Sequence, residues 1–292
     1  MDARFWLLQT FNGLSYGALL FLLGSGLSLI FGVTRIINIA HGSFYMLGAY
    51  LAWQIVRWIG PAGEGFWLAV LAAALAIALL GGAVERLLLR HLYGREELYQ
   101  LLFTYALVLI FGDVAKVVWG TGQLSVSRPP SLSGSFVLLG VIVPFYNLFI
   151  ILLGPTIALF FWFVLQRTPA GRIVRAAALD REMLAALGGN VGWVYTGMFV
   201  LGSFLAGLGG ALVTPTQSIV PGMDVAVIVE AFIVVVIGGL GSFWGTFLGA
   251  LIYGQVLSFG ILIFPGFSLF SVFALMAVIL IVRPWGLFGR PL

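Results

Sequence analysis

Residues 148–213 read LFIILLGPTIALFFWFVLQRTPAGRIVRAAALDREMLAALGGNVGWVYTGMFVLGSFLAGLGGALV: an apolar run, a polar island, and a second apolar run. Each flanking run, Leu148 to Leu165 and Gly197 to Val213, is about the length needed to cross a hydrocarbon core roughly 30 Å thick. The island, Gln166 to Thr196, holds Arg167, Arg172, Arg175, Asp180, Arg181 and Glu182, six of the chain's 24 charged residues (14 basic, 10 acidic). Charge so concentrated in a chain that is otherwise 8% charged must lie in water or against another protein.

The same contrast runs through all 292 residues, 62% of which are apolar, with a mean hydropathy of +1.14. Soluble domains carry about 25% charged residues, so this composition predicts an integral membrane protein. Water-starved backbone must bond to itself, and the spans lack the period-two alternation of an outer-membrane barrel, so an all-α polytopic membrane protein is expected. The net charge of +4 is spread over loops beside spans, where positive-inside bias accounts for it, and no nucleic-acid partner is expected. Without cysteine the chain has no disulfide, thiol nucleophile or thiolate metal site. The N-terminus lacks a basic n-region and a small-residue cleavage site and is expected to be retained.

About eight transmembrane helices, some of them broken, are expected in a single domain over 1–292. Phe5 to Val33 is long for one crossing and is expected to break near Asn12, Gly13, Ser15 and Gly17. A polar patch, Thr34 to Ser43, precedes Phe44 to Val56, and it reads either as a loop between two crossings or as the tip of a broken segment. Pro61 to Gly65 predicts a turn before the span Phe66 to Val84, and the charged loop ERLLLRHLYGREELYQ (85–100) precedes the span Leu101 to Trp119. Phe136 to Pro144 predicts a small hairpin outside the bilayer, and Val225 to Val282 predicts three short segments.

Arginines group in the 85–100 loop (Arg86, Arg90, Arg95), the island, and the tail (Arg283, Arg290), leaving Arg57, Lys116 and Arg128 for the other side. The positive-inside rule then places the first charged loop, the island and the C-terminus in the cytoplasm, and leaves the side of Arg4 and Arg35 open.

The only lysine, Lys116, follows Ala115, so no phosphate-binding G-K-[ST] loop exists. If transport is driven by ATP, hydrolysis falls to another polypeptide, and the island is the surface available to receive it. Thr168 as cap, Pro169 in the first turn and the stop Gly188-Gly189-Asn190 predict one cytoplasmic helix of roughly 18 residues. Its charges surround the wheel, which suits a socket in a protein partner better than a membrane surface; a solvated loop is the bland alternative. The residues expected to couple to an ATPase are Arg172, Arg175, Asp180, Arg181, Glu182 and Gly188.

RAAALDREMLAALGGNV, followed by a Gly/Ala-rich span, resembles the EAA-like coupling region of inner-membrane permeases from branched-chain amino acid ABC importers. NGLSYGALLFLLGSGLSLIFGVTRIINIAHGSFYMLGAY, EAFIVVVIGGLGSFWGTFLGALIYG and RPWGLFGRP agree in the same order, so the resemblance covers essentially the whole chain and points to the shorter of the two paired permeases. Gly189 stands where the family's commoner form has isoleucine. The resemblance implies a second homologous permease, two cytoplasmic ATPase subunits holding ATP-Mg, and a periplasmic binding protein. It also implies a multi-pass location in the bacterial inner membrane and inward movement of branched-chain or related hydrophobic amino acids by alternating access. Permeases for urea, short amides or aromatic acids share the family, and a secondary transporter or channel is the reading from another class.

Two glycine-broken patches, Thr34 to Gly48 and Gly238 to Gly249, lie one in each half, as when broken helices build a midplane site. Asn38, His41, Ser43, Gly238, Gly239, Gly241 and Ser242 are the residues expected to line the pathway. The competing reading of the glycines is close helix packing: Gly241, Gly245 and Gly249, and likewise Gly202, Ala206 and Gly210, share a face. His41 has no companions at metal-ligand spacing, so no metal and no cofactor are expected in this chain. Asp113 and Lys116 are placed to neutralise each other, and Glu230 has no partner on its own helix. Gly13 to Gly17 matches G-x-S-x-G, but within an apolar helical run it lacks the strand-to-helix turn that a nucleophile needs, and no enzyme activity is expected.

Overall fold

The structure, a computed structural model, describes residues 3–60, 65–263, 266 and 268–289. Among the described residues eleven α-helices and one hairpin follow one another: α1 (Ala3–Thr34), α2 (His41–Ile59), α3 (Gly65–Leu87), α4 (Glu97–Trp119), β1 (Ser135–Leu138), β2 (Val141–Pro144), α5 (Phe145–Arg167), α6 (Pro169–Leu179), α7 (Arg181–Ala186), α8 (Val191–Val213), α9 (Met223–Gly238), α10 (Phe243–Ile263) and α11 (Ser268–Val282). Among the described residues six helices, α1, α3, α4, α5, α8 and α10, are long and apolar enough to cross a membrane. The shorter α2 and α9, of 19 and 16 residues, lie between them, and α11, of 15, follows α10. The expected three segments over Val225 to Val282 are α9, α10 and α11. The turn predicted at Pro61 to Gly65 lies outside the described residues except for Gly65, which opens α3.

Burial sorts the helices. The apolar window of α1 is 89% buried and that of α8 72%, against 22% for α4 and for α5, so α1 and α8 form the inside and α4 and α5 present leucines and aromatics outward. Lipid is as apolar as leucine and does not push helices together, so close approach of backbones must hold the centre. The sequence provides it. A Cβ on Gly17 of α1 would lie 2.6 Å from the Ala250 carbonyl of α10, and one on Gly48 of α2 would lie 2.7 Å from Gly207 Cα of α8. Gly202 and Gly210 face α1 and α2, and Gly245 and Gly249 face α9, so the packing reading of these glycines describes their environment.

That seam also corrects the expected break in the first block. Gly13, Ser15 and Gly17 lie inside a continuous 32-residue α1, because small residues here seat α10 and leave the helix whole. Ser15 is buried within it, and the ring Nε2 of His41 sits 3.1 Å from the Leu23 carbonyl, so neither forms part of a hydrolytic pair.

After Thr34 the chain reverses at Arg35 (φ 58°), and residues 35–38 alternate exposed and buried as an extended segment. A Cβ on Gly26 would lie 2.8 Å from His41 Nε2, so α2 begins beside the α1 turn that holds Gly26. That is eight residues, about 12 Å, short of the end of α1. Thr34 to Ser43 is therefore the tip of a broken segment, the second of the two readings.

The hairpin is present, with Phe136 opposite Val143, and Leu139-Gly140, both at positive φ, forming its two-residue turn. Arg4 packs against Gly140, so α1 starts at the hairpin end of the bundle. Val33 at its other end clusters with Ala177 and Tyr195, at the island. The turn between α9 and α10 meets α1 there through Gly241 and Gly32, and the tail folds onto it, Leu287 N–H donating to the Ile237 carbonyl. The three arginine-rich regions thus share one end of the bundle, with Arg35 beside them; Arg290 lies outside the described residues.

Candidate functional site

The island forms two helices rather than the single one expected. Thr168 caps α6 by accepting from Gly171 N–H at 3.1 Å, with Pro169 in the first turn as the sequence predicts. At Asp180 the chain turns extended (φ −152°, ψ 99°), and its carboxylate accepts from Glu182 and Met183 N–H at 3.0 and 2.9 Å, capping α7. Inside the single expected helix Asp180 counts only as one of the coupling residues; its capping capacity ends one helix here and starts another. Gly188 (φ 84°) and Gly189 then close α7, the Gly189 N–H donating to the Leu184 carbonyl and the Gly188 N–H to Ala185. A Cβ on Gly189 would meet Leu184 Cγ at 2.7 Å, so glycine at this position lets the chain fold tightly over Leu184. Asn190 caps α8.

Arg172, Asp180, Arg181, Glu182 and Gly188 are exposed, and Arg175 is half-buried. Between them stand Leu179, Met183 and Leu187, at 80%, 57% and 79% exposure. A polar end of the bundle that holds out large aliphatic side chains among charges has the make-up of a protein contact. Beside it a cavity of about 480 Å³ is lined by Arg35, Arg95, Glu97, Asp180, Arg181 and Glu182, among others.

What fastens the island to the bundle is a set of residues the sequence did not reveal. Glu85, at the end of α3, is fully buried. It accepts from the Thr196 hydroxyl at 2.6 Å and from the Tyr93 hydroxyl at 2.8 Å, and Arg90 lies 3.5 Å away. Arg90 also donates to the Gly192 carbonyl at 2.9 Å and to Thr196 Oγ1 at 2.7 Å. Arg86 stands over the Trp193 ring at 4.6 Å, and Tyr93 meets Tyr195 edge to face at 5.3 Å. Burial, together with the Glu85 carboxylate, pushes the Tyr93 hydroxyl above the usual tyrosine range, so it stays a donor. The first two turns of α8 are thus clasped to α3 and the following loop. The signal the sequence offers is a glutamate ending a strongly apolar span, beside a loop whose arginines speak only to orientation.

The residues expected to line a pathway fall in two places. Asn38, His41 and Ser43 are buried where α2 begins, His41 against Leu23 and Ser43 donating to Asp224 at 2.8 Å. Gly238, the last residue of α9, and Gly239, its cap, are buried, while Gly241 is exposed and Ser242 partly so, Ser242 capping α10 through Gly245 N–H at 3.1 Å. Both groups flank the last third of α1, at Gly26 and at Gly32. Asp113 and Lys116 pair at 2.9 Å as expected. Glu230 of α9 accepts a hydrogen bond from the Tyr16 hydroxyl of α1, and Tyr253 of α10 lies beside it. Among the described residues no three His, Asp or Glu side chains come together as a metal site would need.

Residues 9–282 match the family described as branched-chain amino acid transport system / permease component. The chain is 28% identical to the high-affinity branched-chain amino acid transport system permease protein BraD of Pseudomonas aeruginosa, over 98% of this chain and 96% of that one. It is 28% identical to LivH of Escherichia coli over the same shares, and 26% identical to LivM of that organism over 91% of this chain and 67% of LivM. Among solved structures, PsaBC from Streptococcus pneumoniae in complex with Fab aligns over 93% of this chain and 89% of that one, with 12% identity and a TM-score of 0.48. From residue 9 to residue 282, a match that takes in the island, its clasp and both broken patches, the chain belongs to the family of permease components of branched-chain amino acid transport systems.

Proposed function

We propose that the chain, a permease subunit of an ABC importer and not itself an enzyme, pairs with a second homologous permease to carry branched-chain or related aliphatic amino acids inward across the bacterial inner membrane. Two ATPase subunits dock on the island, and a periplasmic binding protein delivers substrate at the hairpin end. The observation that carries this reading is the pairing of an exposed aliphatic and charged surface on α6 and α7 with a buried clasp behind it. With Arg35, the island end gathers nine of the 13 basic residues that the structure describes, which favours a cytoplasmic island and C-terminus and an outer N-terminus.

Alternating access follows from how the parts are joined. Closure of the ATPase pair on ATP-Mg displaces α6 and α7. The capped turn at Thr168 passes that displacement to α5, and the Glu85–Arg90–Thr196 clasp makes α8 and α3 move together. Because α8 packs on α1 and α2 through glycines with no side-chain cushion, a tilt of α8 shifts the broken start of α2 and opens or closes a path bordered by Asn38, His41, Ser43 and the Gly238, Gly239, Gly241 and Ser242 turn.

Proteoliposomes holding the permease pair, the ATPases and the loaded binding protein should accumulate leucine only with ATP-Mg, with ATP hydrolysis stimulated by the loaded binding protein. Uptake by this chain without ATPase subunits would overturn the reading.

A further inference from the structure

The hairpin end of the bundle holds a cavity of about 310 Å³ that three elements build. Trp53 and Arg57, one turn apart near the end of α2, give one wall, and Phe66, in the first turn of α3, gives another. The third is the segment 125–129, which is tied across the bundle. Leu124 and Ile219 exchange N–H to carbonyl bonds at 3.0 and 2.8 Å, and the Val126 N–H donates to the Thr214 carbonyl. Extended chain alternates its faces, so Val126 is buried while Ser125 and Ser127 stand exposed. Phe66 meets Tyr146, which follows the hairpin, with ring centroids 6.2 Å apart, and this fixes the cavity at that end.

The cavity is lined by a single charge. The Arg57 guanidinium lies 5.3 Å from the centre of the Trp53 ring, which holds it over an aromatic face, and the two serine hydroxyls add donors beside it. The ion pairs among the described residues, Glu85 with Arg90 and Asp113 with Lys116, leave it without a carboxylate. Every exposed charge that the described residues leave unpaired at this end, Arg4, Arg57 and Arg128, is positive, whereas the island end mixes both signs. A fixed guanidinium with hydroxyl donors is a receptor for a carboxylate. A free amino acid matches it poorly, because its ammonium group would lie near Arg57 with no anion among the lining residues. A lipid headgroup matches it poorly too: Phe66 belongs to the buried face of α3 with Ala73 and Ile77, and the exposed leucines of that helix, Leu68, Leu71, Leu75 and Leu79, lie on another side. What meets the end of the bundle, with charge opposite to its own, is a protein.

We infer that an aspartate or glutamate side chain of the periplasmic binding protein enters this cavity and pairs with Arg57. The inference rests on the proposed reading that a binding protein delivers substrate at the hairpin end, and it names the point of contact there. Trp53 keeps the guanidinium in place before the partner arrives, so less freedom is lost on docking. The contact makes and breaks no covalent bond and is remade at each delivery.

The test measures the affinity of the leucine-loaded binding protein for the complete transporter in proteoliposomes at fixed salt. Arg57 is exposed, so Arg57→Gln removes the charge without opening the core. It should weaken docking about tenfold or more, the scale of one charge-assisted contact, while Arg128→Gln, which removes an equal charge at the same end but outside the cavity, weakens it less than about threefold. Docking of Arg57→Gln within about twofold of wild type overturns the inference. So does equal weakening by the two variants, since the basic end would then act only through its overall field. A second measurement is direct: with Arg57→Lys, a zero-length carbodiimide should join the new amine to an aspartate or glutamate of the binding protein, identified by mass spectrometry, and failure to join any residue of the binding protein overturns the contact. A wild-type transporter that docks no binding protein overturns the proposed function and this contact with it; docking that ignores Arg57 overturns the contact alone.

Discussion

The Thr196 hydroxyl lies 2.6 Å from the Glu85 carboxylate, a bond between residues 111 positions apart that joins the first turns of α8 to the end of α3. Arg90 closes the arrangement by donating to Thr196 and to the Gly192 carbonyl. Because Glu85 is fully buried, these bonds are sheltered from water and from salt, and they hold the helix leaving the island to its neighbour.

Replacing Glu85 by alanine leaves the Tyr93 and Thr196 hydroxyls and Arg90 short of their acceptor, a loss of about 3 kcal/mol by the usual cost of breaking a buried charged pair. A lowered thermal midpoint of the purified transporter reads it. Glu85→Gln keeps the shape but weakens the clasp. The expected result is a rise of about threefold in ATP hydrolysed per leucine moved, with ATPase docking unchanged.

At Asp180 the cap and the charge can be told apart. Asparagine caps as well as aspartate, so Asp180→Asn should keep α7 and ATP-driven uptake close to wild type, while Asp180→Ala loses about 1 kcal/mol of local stability. Protease sensitivity of the island and uptake rate, measured together, check it. If asparagine were as damaging as alanine, the residue would act through its charge.

Leu179 and Leu187 are exposed in the subunit, so serine there should change its own stability by less than about 0.5 kcal/mol. If they are anchors of a protein contact, the double variant weakens association with the ATPase subunits about tenfold. Co-purification of the ATPases at graded salt measures that difference.

Gly210 permits no side chain, because a Cβ there would overlap the Tyr45 carbonyl region of α2. Gly210→Ala forces α8 away from α2 and should cost about 2 kcal/mol, the scale of an overpacked core, with a lower thermal midpoint. Gly197, where nothing lies within 4 Å of an added Cβ, is the control: Gly197→Ala should hold the midpoint or raise it slightly.

The helical membrane fold was legible because hydropathy is additive along the chain: α3, α4, α5 and α8 stand where apolar runs stand, and the hairpin follows from a β-branched run around Gly140. Three features resisted. Glycines in Phe5 to Val33 predict a break, whereas in lipid, where the backbone must bond to itself, they mark a seam for α10. Asp180 caps α7 in the middle of what reads as one helix, because capping depends on local dihedrals. The clasp of Glu85, Arg90, Tyr93 and Thr196 joins segments about a hundred residues apart, and no local pattern announces which hydroxyl a buried carboxylate will meet.

The claim on which the account turns is that the island faces and contacts the ATPase subunits. The chain has no cysteine, so single cysteines can be placed without background. Leu187→Cys, on the island, and Leu139→Cys, at the tip of the hairpin, replace side chains that are both 79% exposed at opposite ends of the bundle. In the assembled transporter a thiol-directed cross-linker should join the ATPase to Leu187→Cys and not to Leu139→Cys. Cross-linking from Leu139→Cys alone would contradict both the orientation and the role given to the island.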